Sequence, residues 1–220
     1  MTRLLVLRPE PGASATVDRA QAAGLDAIPA PLFEVEPVEW EPPEAGSFDG
    51  VLLTSANAVR AGGERLKELR GLKAYAVGGT TAAEAREAGF DIAATGDSGV
   101  DRLLGSIDAD LRLLHLCGAD RQKPLEARQE ITPVVVYRAT PIESPALSQA
   151  PGSVALIHSP RAGRRFADLT NDRSSIAVAA ISRAAADAVG DGWKSVDVAD
   201  EPSDEALLAL AARLCNKPQP

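Results

Sequence analysis

The sequence predicts an α/β protein: two doubly wound, flavodoxin-like parallel-sheet lobes, related by duplication and joined by a two-stranded linker. Three observations carry that expectation. Short, almost wholly apolar runs alternate with amphipathic or alanine-rich segments along the chain, the pattern of parallel strands covered by helices on both faces. The second half repeats the first: "LLTSANAVR" (Leu52–Arg60) returns as "LIHSPRAGR" (Leu156–Arg164), displaced by 104 residues with four of nine positions identical. Two proline-flanked extended stretches, 31–38 and 135–142, stand at equivalent places in that repeat.

In chain order, "RLLVL" (3–7) is a first strand, its apolar run too short for a secretion signal, and a helix over 11–23 follows. Strand 49–54 leads into helix 56–69, strand 73–77 into helix 80–88, and strand 91–94 into helix 99–106. The second copy begins with "RLLHL" (112–116), a helix over 121–130 and the valine-rich strand 133–138. Strand 153–158 then feeds helix 160–170, whose Pro160 suits a first-turn position. Strand 175–180, helix 182–190, strand 194–197 and helix 203–215 complete the chain. The repeat continues through "AVGGTTAAEAREAGFD" and "AAISRAAADAVGDGWK", offset by 103, and through "GVDRLL" and "SDEALL", offset by 104. "RLLVLRP" and "RLLHLCG" pair likewise, as do "PLFEVEP" and "VVYRATP". If the chain crosses between lobes at both proline-flanked stretches, one domain is 38–136 and the other joins 1–34 to 140–220. The crossing strands would pair as a hinge, and strand-end loops would face each other across a cleft.

At 220 residues the chain has length for two domains of about 100 residues each. Its 45% hydrophobic and 25% charged content is that of an ordinary globular protein. Cys117 and Cys215 are too few for a disulfide framework and read as reduced thiols. A net charge of −8 argues against a nucleic-acid partner, while an anionic small molecule can still be held by local helix N-termini and arginines. No apolar run approaches the ~18 residues of a membrane helix. A cytoplasmic monomer is expected.

Familiar catalytic signatures are missing: there is no P-loop, no GxGxxG and no GxSxG. His115 and His158 lie inside apolar strand runs without metal-ligand spacing, and they read as structural. Cys117 has no flanking base to activate it. What remains are groups suited to holding an anion beyond the C-terminal strand edges, where such sheets bind ligands. Thr54, Ser55, Ala56 and Asn57 stand where one helix begins, and Ser159 and Arg161 recur at the equivalent turn. A helix cap worth about 1 kcal/mol accounts for either serine alone; recurrence is what suggests a ligand. Gly78, Thr80 and Thr81 open another helix, Ser182 opens its counterpart, and Arg8 ends the first strand. Tyr137 has Phe33 as its counterpart, so the repeat kept an aromatic and made one phenolic. Such a tyrosine either packs in a core or donates a proton at the hinge.

Taken together, "VLRPE", "LLTSANAV", "AVGGTTAAEAREAGF", "VVVYRATP" and "LIHSPRAGRRF" resemble the uroporphyrinogen-III synthase family over nearly the whole chain. The resemblance implies two α/β lobes on a two-stranded ladder. It also implies a reaction of tetrapyrrole biosynthesis: cyclisation of hydroxymethylbilane with loss of water and inversion of ring D. No metal or organic cofactor is needed for it. Transient contact with hydroxymethylbilane synthase is the partner it suggests. Tyr137 matches the tyrosine of the family's "VY" motif, suspected of assisting hydroxyl loss, and would be the general acid. The strand-end residues named above would contact the substrate's carboxylates. Two departures stand out. The family's second "GxTTA"-like turn reads "ISRAAADA" here, leaving Ser182 and Arg183 but no threonines. The segment from Arg112 to Tyr137 is also shorter than that from Arg3 to Phe33. The competing expectation is a non-enzymatic, two-lobed ligand-binding or sensory module.

Overall fold

The computed structural model describes residues 2–96, 99–120 and 127–216. The chain divides into two compact units, one of Met1–Glu34 with Pro141–Pro220, the other of Val35–Thr140.

In the discontinuous unit, β1 (Leu4–Val6), β2 (Ala27–Pro29), β9 (Val154–Ile157), β10 (Ala177–Ala180) and β11 (Ser195–Val198) form one sheet in the order β11-β10-β9-β1-β2. All its neighbours are parallel. Numbered within the unit, that order is 2-1-3-4-5, the flavodoxin-like winding. Helices α1 (Gly12–Ala22) and α7 (Asp204–Asn216) share one face, where Val17, Leu207, Leu210 and Ala211 pack on Leu4, Val6, Leu156 and Ala179. Helices α5 (Pro160–Leu169) and α6 (Arg183–Asp187) follow β9 and β10, and Phe166 of α5 is fully buried with its ring stacked on Trp193 at 5.0 Å.

In the continuous unit, β4 (Gly50–Leu53), β5 (Lys73–Val77), β6 (Asp91–Gly96), β7 (Arg112–Gly118) and β8 (Glu130–Pro141) run parallel in the order β8-β7-β4-β5-β6. Matched through the sequence repeat, β7 to β1, β4 to β9, β5 to β10, this is the same spatial order as in the first sheet. The match is consistent with duplication. Helices α2 (Ala56–Gly62) and α3 (Gly79–Glu87) follow β4 and β5, and Val59 and Ala85 pack on Val51, Leu53, Ala74, Leu114 and Leu116. Helix α4 (Val100–Gly105) covers the other face through Leu103 and Leu104 against Leu52 and Leu113.

The remaining strand, β3 (Phe33–Pro37), lies beside β8 at the sheet edge. Val38 N donates to Val136 O and Ile142 N donates to Leu32 O, each at 3.0 Å. The two numbers of each pair add to the same total, the mark of an antiparallel register. Arg138 and Glu36 keep that register as a cross-strand ion pair. Both passages of the chain between units are thus strands of one two-stranded ladder.

Most expected elements are present within a residue or two at either end, and the differences have local causes. The helix expected over 56–69 ends at Gly62 because Gly63 takes φ 61, and a 3-10 segment, Gly63–Leu69, continues it. The helix expected over 182–190 is a five-residue α6. β2 was not expected: it is three residues long and ends in a proline at the sheet edge, where no donor is needed. β8 does in twelve residues what β2 and β3 do separately. Of the helix expected over 121–130, residues 121–126 lie outside the described residues, and 127–129 are not helical.

Candidate active site

Both sheets direct their C-terminal strand ends into loops that carry the candidate residues. In the continuous unit the neighbouring strands β8, β7, β4 and β5 bring Tyr137, Gly118, Thr54 and Gly78 to one edge in that order. Thr54 follows β4, and its hydroxyl lies 2.9 Å from His115 Nε2 in β7. Ser55 is the N-cap of α2, its Oγ accepting from Asn57 N at 3.2 Å. The cap uses only a lone pair, so the serine O–H is still available as a donor. The Asn57 side-chain oxygen accepts from Arg60 at 3.4 Å, and Arg60 in turn pairs with Glu84 of α3. Gly78 holds φ 84, a conformation that suits only glycine, and so turns β5 sharply into α3. Ala56 is half-buried at the start of α2, Thr80 is exposed at the start of α3, and Thr81 is buried on its inner face.

In the discontinuous unit, β1, β9 and β10 end side by side at Arg8, Ser159 and Ser182. Ser159 caps α5 through Ala162 N at 3.1 Å, and Ser182 caps α6 through Ala185 N at 3.3 Å. Arg161, in the first turn of α5, lies with its guanidinium 4.3 Å over the Phe33 ring, a cation–π contact. Capping therefore explains the recurrence of serine at these turns, while the lost threonines at 184–185 leave alanines, Ala184 exposed and Ala185 buried.

Sequence reasoning missed the residue that organises this edge. Asp204, at the start of α7, receives His158 Nε2 at 2.9 Å and the Thr16 hydroxyl at 3.0 Å on Oδ1. Arg19 reaches Oδ2 from Nη2 at 2.6 Å, and Arg8 reaches Oδ1 at 3.4 Å. Thr16 and Arg19 stand three residues apart on α1 and so share a face. Burial drives the His158 pKa below the ordinary histidine value, against the opposing pull of Asp204 and helped by Arg8. Burial would raise the Asp204 pKa, but the hydrogen bond from His158 and the charge of Arg19 outweigh it and hold the carboxyl well below the usual range. With His158 neutral, the guanidiniums of Arg19 and Arg8 both reach this one carboxylate. Nothing in the sequence joins His158 to Asp204, 46 residues away; the acidic first turn of a terminal helix was the only local signal.

The strand ends of each unit thus carry hydroxyls and helix-start amides, with Tyr137 in the continuous unit and Arg8 in the discontinuous one. Among the described residues no group of three or more His, Cys, Asp or Glu could hold a metal ion, and no helix is long and apolar enough to cross a membrane.

Comparison with known proteins gives these features a context. The family model described as uroporphyrinogen-III synthase HemD matches residues 14–209. No curated protein matches the chain by sequence. Among solved structures, uroporphyrinogen-III synthetase from Helicobacter pylori aligns with a TM-score of 0.66 at 19% identity, covering 97% of this chain and all of that one. A mutant uroporphyrinogen III synthase from Thermus thermophilus aligns with a TM-score of 0.55 at 16% identity, covering 99% and 100%. At such identities the structures establish a shared fold, while the family model spans nearly the whole repeat. By that match this chain belongs to the uroporphyrinogen-III synthase family.

Proposed function

We propose that the chain closes hydroxymethylbilane to uroporphyrinogen III by holding its carboxylates on the strand-end donors while Tyr137 protonates the departing hydroxyl of ring A. The hydroxyl leaves as water and ring A becomes an azafulvene cation. Ring D attacks through its substituted carbon, the spiro intermediate fragments, and the ring recloses in the inverted sense. The proton lost on final closure returns to the phenolate, so one water leaves and Tyr137 is regenerated. Unassisted closure gives the symmetric type I isomer, so the protein acts by selecting one geometry, which binding in a preorganised pose achieves.

The observation that carries this reading is the row of Tyr137, Thr54, Ser55 and Gly78 along one strand edge. With an ordinary pKa of about 10, a tyrosine is protonated and able to donate at neutral pH. In the other unit Arg8 is read as a carboxylate contact, with Ser159, Arg161 and Ser182 at the neighbouring strand ends. Phe33, the counterpart of Tyr137, lies under Arg161 and has no hydroxyl to offer. The chain is read as a cytoplasmic monomer that takes its substrate from hydroxymethylbilane synthase.

The test supplies freshly generated hydroxymethylbilane and separates the oxidised uroporphyrin isomers. Predominant type III is expected, and type I at the level of buffer alone would refute the assignment. Tyr137→Phe is expected to lower kcat about a hundredfold or more with an unchanged melting temperature, the usual range for loss of a general acid; full turnover would return Tyr137 to packing.

A further inference from the structure

Tyr137 does not stand where an ordinary strand would put it. β7 and β8 pair residue for residue from Arg112 with Glu130 to Cys117 with Val135, and then Gly118 opposes Tyr137. Val136 is the extra residue of a β-bulge. In a regular strand Val136 and Tyr137 would face opposite sides of the sheet. Here both pack on the cluster that contains Leu114 and Leu116. Bulges re-aim side chains in this way and gather beside active sites. The re-aimed ring then lies across Gly118: a Cβ at that position would stand 2.7 Å from Cζ, 2.8 Å from Cε2 and 2.9 Å from Oη of Tyr137. Any side chain larger than hydrogen would push the phenol away from the last residue of β7.

We propose that Gly118, with the bulge at Val136, is the positioning device of the reaction, setting the Tyr137 hydroxyl at the C-terminal strand edge. The proposal rests on Tyr137 as the proton donor. A displacement approaching 1 Å is enough to lower a rate by about a hundredfold. The chain also holds a built-in control. Gly50, at the opposite end of β4, lies under Tyr75, with a would-be Cβ 2.6 Å from Cε2 and 2.9 Å from the Lys73 carbonyl oxygen. That contact lies at the far end of the strand from Tyr137.

Gly118→Ala is expected to lower kcat at least tenfold with KM within about twofold, and to add nothing in a Tyr137→Phe background. Gly50→Ala should lower the melting temperature while kcat and KM hold. Tyr75 and Tyr137 are the two tyrosines of the chain, so a Tyr75→Phe background isolates the Tyr137 phenolate absorbance, and Gly118→Ala should shift that titration. Normal kcat in Gly118→Ala, with Tyr137→Phe slow, overturns the positioning role alone; normal kcat in Tyr137→Phe instead removes the donor reading beneath it. Should Gly118→Ala not fold, Gly118→Ala with Tyr137→Ala decides the matter. Recovery of the fold supports the ring contact, and continued failure overturns it.

Discussion

Asp204 shows how much one buried carboxylate can organise. It is 18% exposed and takes contacts from β1, α1 and β9 ends through Arg8, Thr16, Arg19 and His158. Removing its charge leaves two guanidiniums without their counter-ion and turns one acceptor oxygen into an NH2 donor, so Asp204→Asn is expected to lower unfolding stability by about 2 kcal/mol. Urea denaturation would show it, and a midpoint equal to the parent's would mean the cluster is held by packing instead. The same cluster predicts a pH dependence. His158 stays neutral in the fold, buried beside Asp204 of α7 and Arg8 after β1, whereas the unfolded chain takes up a proton near the ordinary histidine value of 6.5. Below that pH the unfolded state binds more protons, so stability falls as pH drops from about 7 towards 5. Asp204, with its pKa depressed, contributes fully above its ordinary value near 3.8 and loses that contribution progressively as pH falls below it. His158→Gln retains a donor to Asp204 without the titration and should flatten the loss between pH 7 and 5; melting curves with an unchanged slope would count against the assignment.

Among the elements, the helices that follow strands are short and depend on their first turns. α5 begins with Ser159 as cap and Pro160 preset for the first turn, and its inner face buries Ala162, Gly163 and Phe166. Ser159→Ala leaves the Ala162 amide without its partner and is expected to destabilise by about 1 kcal/mol. If Ser159 also meets the substrate, KM for hydroxymethylbilane will rise in the same variant, while a pure cap changes stability only. The α5 cap was legible from "HSPR", since serine followed by proline is a helix-start signature. The bulge in β8 was not: "VVVYR" reads as an uninterrupted apolar strand, and only pairing with β7 exposes the extra residue.

For the whole chain, the order of elements in each unit makes a strong prediction. Val35–Thr140 is continuous and contains five parallel strands with helices on both faces. Expressed alone it should unfold cooperatively in urea. The other unit is split, but Ile142 N donates to Leu32 O at 3.0 Å, so its two pieces meet at the cut. A flexible linker of about four Gly/Ser residues in place of 35–140 should restore it. Broad, non-cooperative transitions from both pieces would show that neither core suffices by itself.

What the sequence determined by itself was the alternation of apolar strands with capped helices and its recurrence near an offset of 104 residues. Those signals are local: each strand's burial and each helix's start are written in a few neighbouring residues. The meeting of His158 with Asp204, and of the Tyr137 ring with Gly118, was decided by the tertiary structure. Each depends on which strands lie adjacent and in what register, and strand pairing joins residues whose separation along the chain carries no periodic trace.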